Sequence, residues 1–150
     1  MKIIIQRVSE ASVVVDKKKV SAINKGFLIL LGIGNSDTQE DINWLSNKIV
    51  KLRIFEDENK TMNLALKDID GDVLVVSQFT LMASTKKGNR PSYMKAAKSK
   101  ISIPLYKQFV EKLEQQLNKK IKTGVFGADM KVALVNDGPV TISIDSKNRE

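Results

Sequence analysis

The stretch Phe27-Leu28-Ile29-Leu30-Leu31-Gly32-Ile33 carries no polar side chain. Side chains of a strand alternate between two faces, so an unbroken apolar run belongs to a strand covered on both. Spanning a bilayer takes about 18 apolar residues, and no run in the chain comes near that length. The segment therefore needs a protein core above it and another below. Val73-Leu74-Val75-Val76 repeats the requirement on a smaller scale. A chain of 150 residues can supply both covers within one domain.

The remaining elements follow from periodicity. Ile3 to Val8 and Ser12 to Val15 read as two β-branched strands, with Asp16-Lys17-Lys18-Lys19 as a turn and Val20 to Ile23 as the return strand. Gly34-Asn35-Ser36-Asp37 breaks the chain, and Asp37 with Glu40 reads as a capping-box-like start. Ile42, Leu45, Ile49 and Leu52 then predict an amphipathic helix over Thr38 to Leu52. Arg53-Ile54-Phe55 is a short strand, and residues 56–72 read as loop with a short helical turn. Val73 to Phe79 is a strand and Ala83 to Pro91 a loop. A second helix begins near Ser102-Ile103-Pro104, with proline in its first turn and Leu105, Phe109, Leu113 and Leu117 on one face. Ile121 to Val125, Met130 to Val135 and Val140 to Ile144 are the closing strands. This predicts one α/β domain over 1–150: a mixed sheet with two main helices on one side and further strands on the other.

The chain has no histidine and no cysteine. Disulfide frameworks and the usual zinc sites are excluded, and no metal or cofactor is expected. Catalysis has to run on hydroxyls, amides, lysine, arginine, carboxylates or the substrate itself. Two segments stand out. Ser77-Gln78-Phe79-Thr80-Leu81 follows a buried strand, where backbone N–H groups and hydroxyls can face a cleft. Thr80 as a nucleophile would need a base beside it; a plain polar strand end reads equally well. The second is Asn136-Asp137-Gly138-Pro139-Val140-Thr141. Proline is rarely placed inside a sheet, and X-Pro bonds adopt cis far more readily than others. A cis Gly138-Pro139 would turn two carbonyls to one side, whereas an Asp-Gly-Pro turn would do nothing. Arg7 can brace a carbonyl-rich loop or sit on the surface. Phe126 can stack on a nucleobase or fill the core.

Net charge is +8, and no Asp or Glu occurs from Ala83 to Val110, a stretch with Lys86, Lys87, Arg90, Lys95, Lys98, Lys100 and Lys107. Such a segment is either a footprint for phosphates or a solvated lysine-rich face. Aromatics at 5% give no platform for long single strands. The first residues, Met1-Lys2-Ile3-Ile4-Ile5-Gln6-Arg7, read as a strand and not a signal peptide, so the cytoplasm is the expected location.

Taken together the motifs resemble the D-aminoacyl-tRNA deacylase family over nearly the whole chain. The resemblance is carried by Gln6-Arg7-Val8 with Ala11-Ser12-Val13, Leu30-Leu31-Gly32, Leu52-Arg53-Ile54-Phe55, Met62-Asn63, Ser77-Gln78-Phe79-Thr80-Leu81, Gly88-Asn89-Arg90-Pro91-Ser92 and Asn136-Asp137-Gly138-Pro139-Val140-Thr141. Tyr93 stands where the family often has Phe, and Asn59-Lys60-Thr61 replaces a common Gly-Lys before Met62. The resemblance implies a three-layer α/β/β fold and a homodimer that hydrolyses the ester of D-aminoacyl-tRNA and of mischarged glycyl-tRNA. It places catalysis at Ser77, Gln78, Phe79 and Thr80. It also implies a cis Gly138-Pro139 pair that enters the partner's site and rejects L-substrates, steadied by Arg7, with Phe126 at the terminal adenine. The lack of histidine fits help from the ribose 2′-hydroxyl. The residues alone leave two other readings open, a non-catalytic RNA-binding module and a dimerisation domain.

Overall fold

The computed structural model describes residues 1–149. Eight strands and two α-helices follow in the order β1 Lys2–Val15, β2 Lys18–Ile23, β3 Gly26–Gly32, α1 Gln39–Lys51, β4 Arg53–Glu56, β5 Met62–Ala65, β6 Asp72–Ser77, α2 Ser99–Leu117, β7 Lys122–Thr123 and β8 Lys131–Asp145, with a 3₁₀ turn at Phe79–Met82. The main sheet runs β2-β1-β3-β6-β7, and β8 pairs along the other edge of β1. β1 is antiparallel to β2, β3 and β8, whereas β3–β6 and β6–β7 are parallel.

The apolar run in β3 is covered twice, as its composition requires. Phe27, Ile29 and Leu31 face one core with Val73 and Val75 of β6, Ile42, Leu45 and Ile49 of α1, and Phe109 and Leu113 of α2. Leu28, Leu74 and Val76 face a second core with Val8, Val13 and Ile23, against which Leu30, Val132 and Leu134 pack. The result is helices, central sheet and an outer β-layer, the predicted three-layer arrangement.

One bulge builds the outer layer. Val8 pairs with Asn136 and Glu10 with Val135, so Ser9 is an extra residue on β1. Ile3 and Ile5 point to the helical core, but after the bulge Ala11 and Val13 join Val8 in the second core. An inserted residue reverses the side-chain alternation and bends the strand. The two short strands expected at the N-terminus are therefore one, and its halves belong to different layers.

Other boundaries also differ. Residues 62–65 form β5, paired with β4, where a loop was expected. β6 stops at Ser77, and Phe79 lies in the 3₁₀ turn. β7 is only two residues long, and Met130 to Ile144 is one strand rather than two. α2 starts at Ser99, so Pro104 lies in its second turn. An interior proline costs about 3 kcal/mol; burial of Tyr106, Phe109 and Leu113 offsets it. The cap of α1 is Thr38 rather than Asp37, with its amide donating to the Asp41 carboxylate at 2.8 Å. Neither helix is long and apolar enough to cross a membrane.

Asp37 and Asp41 instead serve a buried polar knot. The Met1 ammonium donates to Asp37 Oδ1 at 2.7 Å and to Ser146 Oγ at 2.6 Å. Ser146 Oγ donates to Asp41 Oδ1 at 2.7 Å, and Lys147 Nζ to Asp41 Oδ2 at 2.8 Å. Burial pushes the Asp41 carboxyl up, but the hydrogen bonds from Lys147, Ser146 and Thr38 outweigh it and hold the group well below the usual range. A depressed carboxyl stabilises the fold above its unfolded value near 3.8, and that contribution is lost as pH falls further. Asp41→Asn should lower the unfolding free energy by about 2 kcal/mol at neutral pH. It should also flatten the loss of stability below pH ~4, as read by urea titrations at several pH values.

Candidate active site

The first half of the site grows from the end of β6. Ser77 pairs with Leu31, and the Gln78 amide donates to the Leu31 carbonyl at 2.8 Å, carrying the chain past the sheet edge. It then turns into the 3₁₀ segment, closed by Leu81 N–H to the Gln78 carbonyl and Ala83 N–H to the Thr80 carbonyl. Gly32 is what lets this turn sit so close. A Cβ there would stand 2.8 Å from Leu81 Cβ and 3.1 Å from the Gln78 carbonyl oxygen.

Ser77, Gln78 and Phe79 form one wall of a cleft of about 420 Å³. Ala96, Ala97, Lys98, Ser99 and Ser102 line a second side, and Phe126, Gly127, Ala128, Met130 and Val132 a third. Lys98, exposed at the rim, is the only titratable side chain of this lining. Among the described residues no carboxylate lines the cavity. Thr80 is not part of the lining; its Oγ1 accepts a close hydrogen bond from Gln78 Nε2. That contact gives Thr80 an amide donor, which cannot remove the hydroxyl proton.

Phe126 is a wall and a core residue at once. It packs on the helical core and meets Tyr106 edge-on, with ring centroids 5.4 Å apart. Tyr106 is anchored by its phenol, which donates to the Val75 carbonyl at 2.8 Å. Burial pushes that phenol up, so it stays a donor. Phe79, by contrast, is more than half exposed and lies edge-on to Tyr93 at 5.1 Å.

The second half lies elsewhere. Between the pairs Gln6–Thr141 and Val8–Asn136, β8 holds four residues against the single Arg7 of β1. This excursion contains Gly138-Pro139, and the peptide bond is cis. Arg7 is 4% exposed and lies against this segment. Its Nε donates to the Asp137 carbonyl at 2.8 Å and its Nη1 to the Ile54 carbonyl at 2.6 Å. Gly138 has φ +126°, and a Cβ there would lie 2.8 Å from Arg7 Nη2, so only glycine fits over the guanidinium.

The structure thus gathers Ser77, Gln78, Phe79 and Phe126 in one cleft and Arg7, Gly138 and Pro139 in another place. The pairings Ser77–Leu31, Leu31–Ile3 and Ile3–Ile144 mark one end of the sheet, and Val73–Phe27 and Phe27–Arg7 the other. Four residues of strand separate the two rows, about 13 Å. The wall at Ala96 to Ser99 was not anticipated; its one trace in the sequence was the acid-free stretch.

Residues 4–145 match the family described as D-Tyr-tRNA(Tyr) deacylase. The chain belongs to that family. Proteins named D-aminoacyl-tRNA deacylase from Flavobacterium psychrophilum and Bacteroides fragilis are 68% and 63% identical to this family member, each over the full length of both chains. Among solved structures, one titled c-Myc DNA unwinding element binding protein is 41% identical, with a TM-score of 0.92 over 97% of this chain and 98% of that one. Another, titled as a probable eukaryotic D-amino acid tRNA deacylase, shares the fold at a TM-score of 0.82 and 15% identity, over 95% of this chain and 97% of that one.

The brace at Arg7 acts on main-chain carbonyls, and this sets an expected order of effects. Arg7→Lys, which cannot span both oxygens with one ammonium, should cost about 2–3 kcal/mol. Asp137→Ala keeps the carbonyl and should cost less than about 1 kcal/mol. Chemical denaturation of the two variants side by side reads the difference.

Proposed function

We propose that this protein is a D-aminoacyl-tRNA deacylase, which hydrolyses the ester between a D-amino acid, or mischarged glycine, and the terminal adenosine of tRNA while rejecting L-aminoacyl esters. The observation that carries the reading is a cleft walled by the Ser77-Gln78-Phe79 segment and Phe126 with no imidazole, thiol or carboxylate in its lining. A site of this kind suits a substrate that brings its own acid–base group. The 2′-hydroxyl of the terminal ribose is adjacent to the ester and takes that part, helping to activate water or relay a proton. The protein supplies position and polarity. The leading N–H groups of the 3₁₀ turn at Phe79 and Thr80 lie outside its i→i+3 ladder and face the developing oxyanion. Phe126 holds the adenine.

Chiral selection falls to Gly138 and Pro139. Their carbonyls take the amino group and leave no space for an L side chain; a D side chain points outward, and glycine has none to exclude. That segment lies across two intervening strands from β6 and at the other end of the sheet, so it cannot serve the cleft of its own chain. A second copy has to deliver it. The free edge of β8, a 15-residue strand with no buried position and only β1 as partner, supports this. Long open edges are surfaces for pairing. The enzyme is accordingly a homodimer with a shared site, working on tRNA in the cytoplasm.

Purified protein with D-tyrosyl-tRNA and L-tyrosyl-tRNA should release only the D-amino acid; equal rates on both, or on neither, would sink the reading. Thr80→Ala should keep kcat within about threefold, while a 2′-deoxy terminal adenosine should slow hydrolysis by about 100-fold or more.

A further inference from the structure

The segment between the 3₁₀ turn and α2 walls the cleft at Ala96 to Lys98, and the rest of it has been given no role although it is rich in cations. Lys86, Lys87, Arg90, Lys95, Lys98 and Lys100 are all exposed. None of them lies within ion-pair distance of a carboxylate among the described residues. No acid occurs from residue 83 to 110, so nothing nearby in the chain neutralises them.

The backbone beneath these cations is held in place. Ser84 and Ser92 exchange both backbone hydrogen bonds, at 2.8 and 2.9 Å, which closes the loop carrying Lys86, Lys87 and Arg90. Asn35 then pins the next stretch through its amide to the Lys95 carbonyl at 3.2 Å and its side chain to the Met94 carbonyl at 3.0 Å. The Ala97 amide donates to the Ile33 carbonyl at 2.9 Å, setting Lys98 at the rim of the cleft. The strap thus borders the cleft at Lys98 and is a tied main chain with exposed cationic side chains.

Exposed cations on a tied main chain that reaches the cleft at Lys98 fit a polyanion whose terminus is being processed. Tyr93 and Met94, exposed between the charges, add an apolar face suited to ribose and base. We propose that residues 84–98 form the track for the acceptor strand of the RNA. Lys98 meets the phosphate nearest the terminal nucleoside, and Lys95, Lys87 and Lys86 meet phosphates farther along. The inference rests on the deacylase reading for the direction of the strand.

The test compares the full-length protein with the triple variant Lys86→Ser/Lys87→Ser/Lys95→Ser, none of whose positions lines the cleft. A control, Lys51→Ser/Lys67→Ser/Lys112→Ser, removes the same charge elsewhere. Binding of uncharged tRNA is measured from 50 to 300 mM salt. The strap variant should bind about tenfold more weakly at 100 mM and lose about 2 from the slope of log K against log salt, given about 0.7–0.9 per phosphate contact. With D-tyrosyl-tRNA its KM should rise about tenfold at unchanged kcat, and with D-tyrosyl-adenosine, which has no RNA body, both constants should match the parent. An unchanged slope, or an equal loss in the control, overturns the track. Failure of the parent protein to cleave D-tyrosyl-adenosine and D-tyrosyl-tRNA would instead sink the deacylase reading, and the binding data would still decide whether RNA follows the strap.

Discussion

Everything in this fold leans on the hydrogen-bond ladders of β1. Its first half is clasped between β3 and β8, its second between β2 and β8. The bulge at Ser9 lets one strand serve two layers, so the central sheet and the outer β-layer cannot separate without breaking the same strand. Just before the bend, Arg7 reaches back to the Ile54 and Asp137 carbonyls. A buried guanidinium is costly unless its donors are satisfied. Here the satisfied donors tie β4 and the Gly138 excursion to the most heavily paired strand of the molecule.

The catalytic logic follows from what that frame leaves out. The cleft offers hydroxyls, amides and aromatic faces, and a single cation at its rim. Such a lining can orient a substrate and stabilise charge that develops on it, but it holds no side chain suited to proton abstraction.

Much of the layering was legible in the sequence because it rests on composition. Phe27 to Ile33 has no polar position, and a sheet covered on both sides is the direct consequence. Where local signals and tertiary pairing disagreed, the sequence misled. Met62-Asn63-Leu64-Ala65 has weak strand propensity and pairs because β4 lies beside it. Gly138-Pro139 looked like the boundary between two strands, but Arg7 holds the excursion against β1 and the pairing resumes at Thr141. Asp37 looked like a cap, but the buried ammonium of Met1 and the Gly34 amide claim its carboxylate. Ser77 to Phe79, Arg7 and Gly138 stood out as parts of motifs, and Phe126 as an aromatic suited to a base or to the core. The wall from Ala96 to Ser99 did not, because Gly34 and Ile33, more than 55 positions earlier in the chain, hold it in place through Ala96 and Ala97.

Gly32 bears on how this pocket can change. With the 3₁₀ turn seated over its α-carbon, Leu81 Cβ and the Gln78 carbonyl oxygen leave no room for any side chain at this position. Met130 and Val132, on another flank of the cleft, present replaceable side chains. Substitutions there would reshape the cleft while the turn at Phe79–Met82 kept its seat on Gly32.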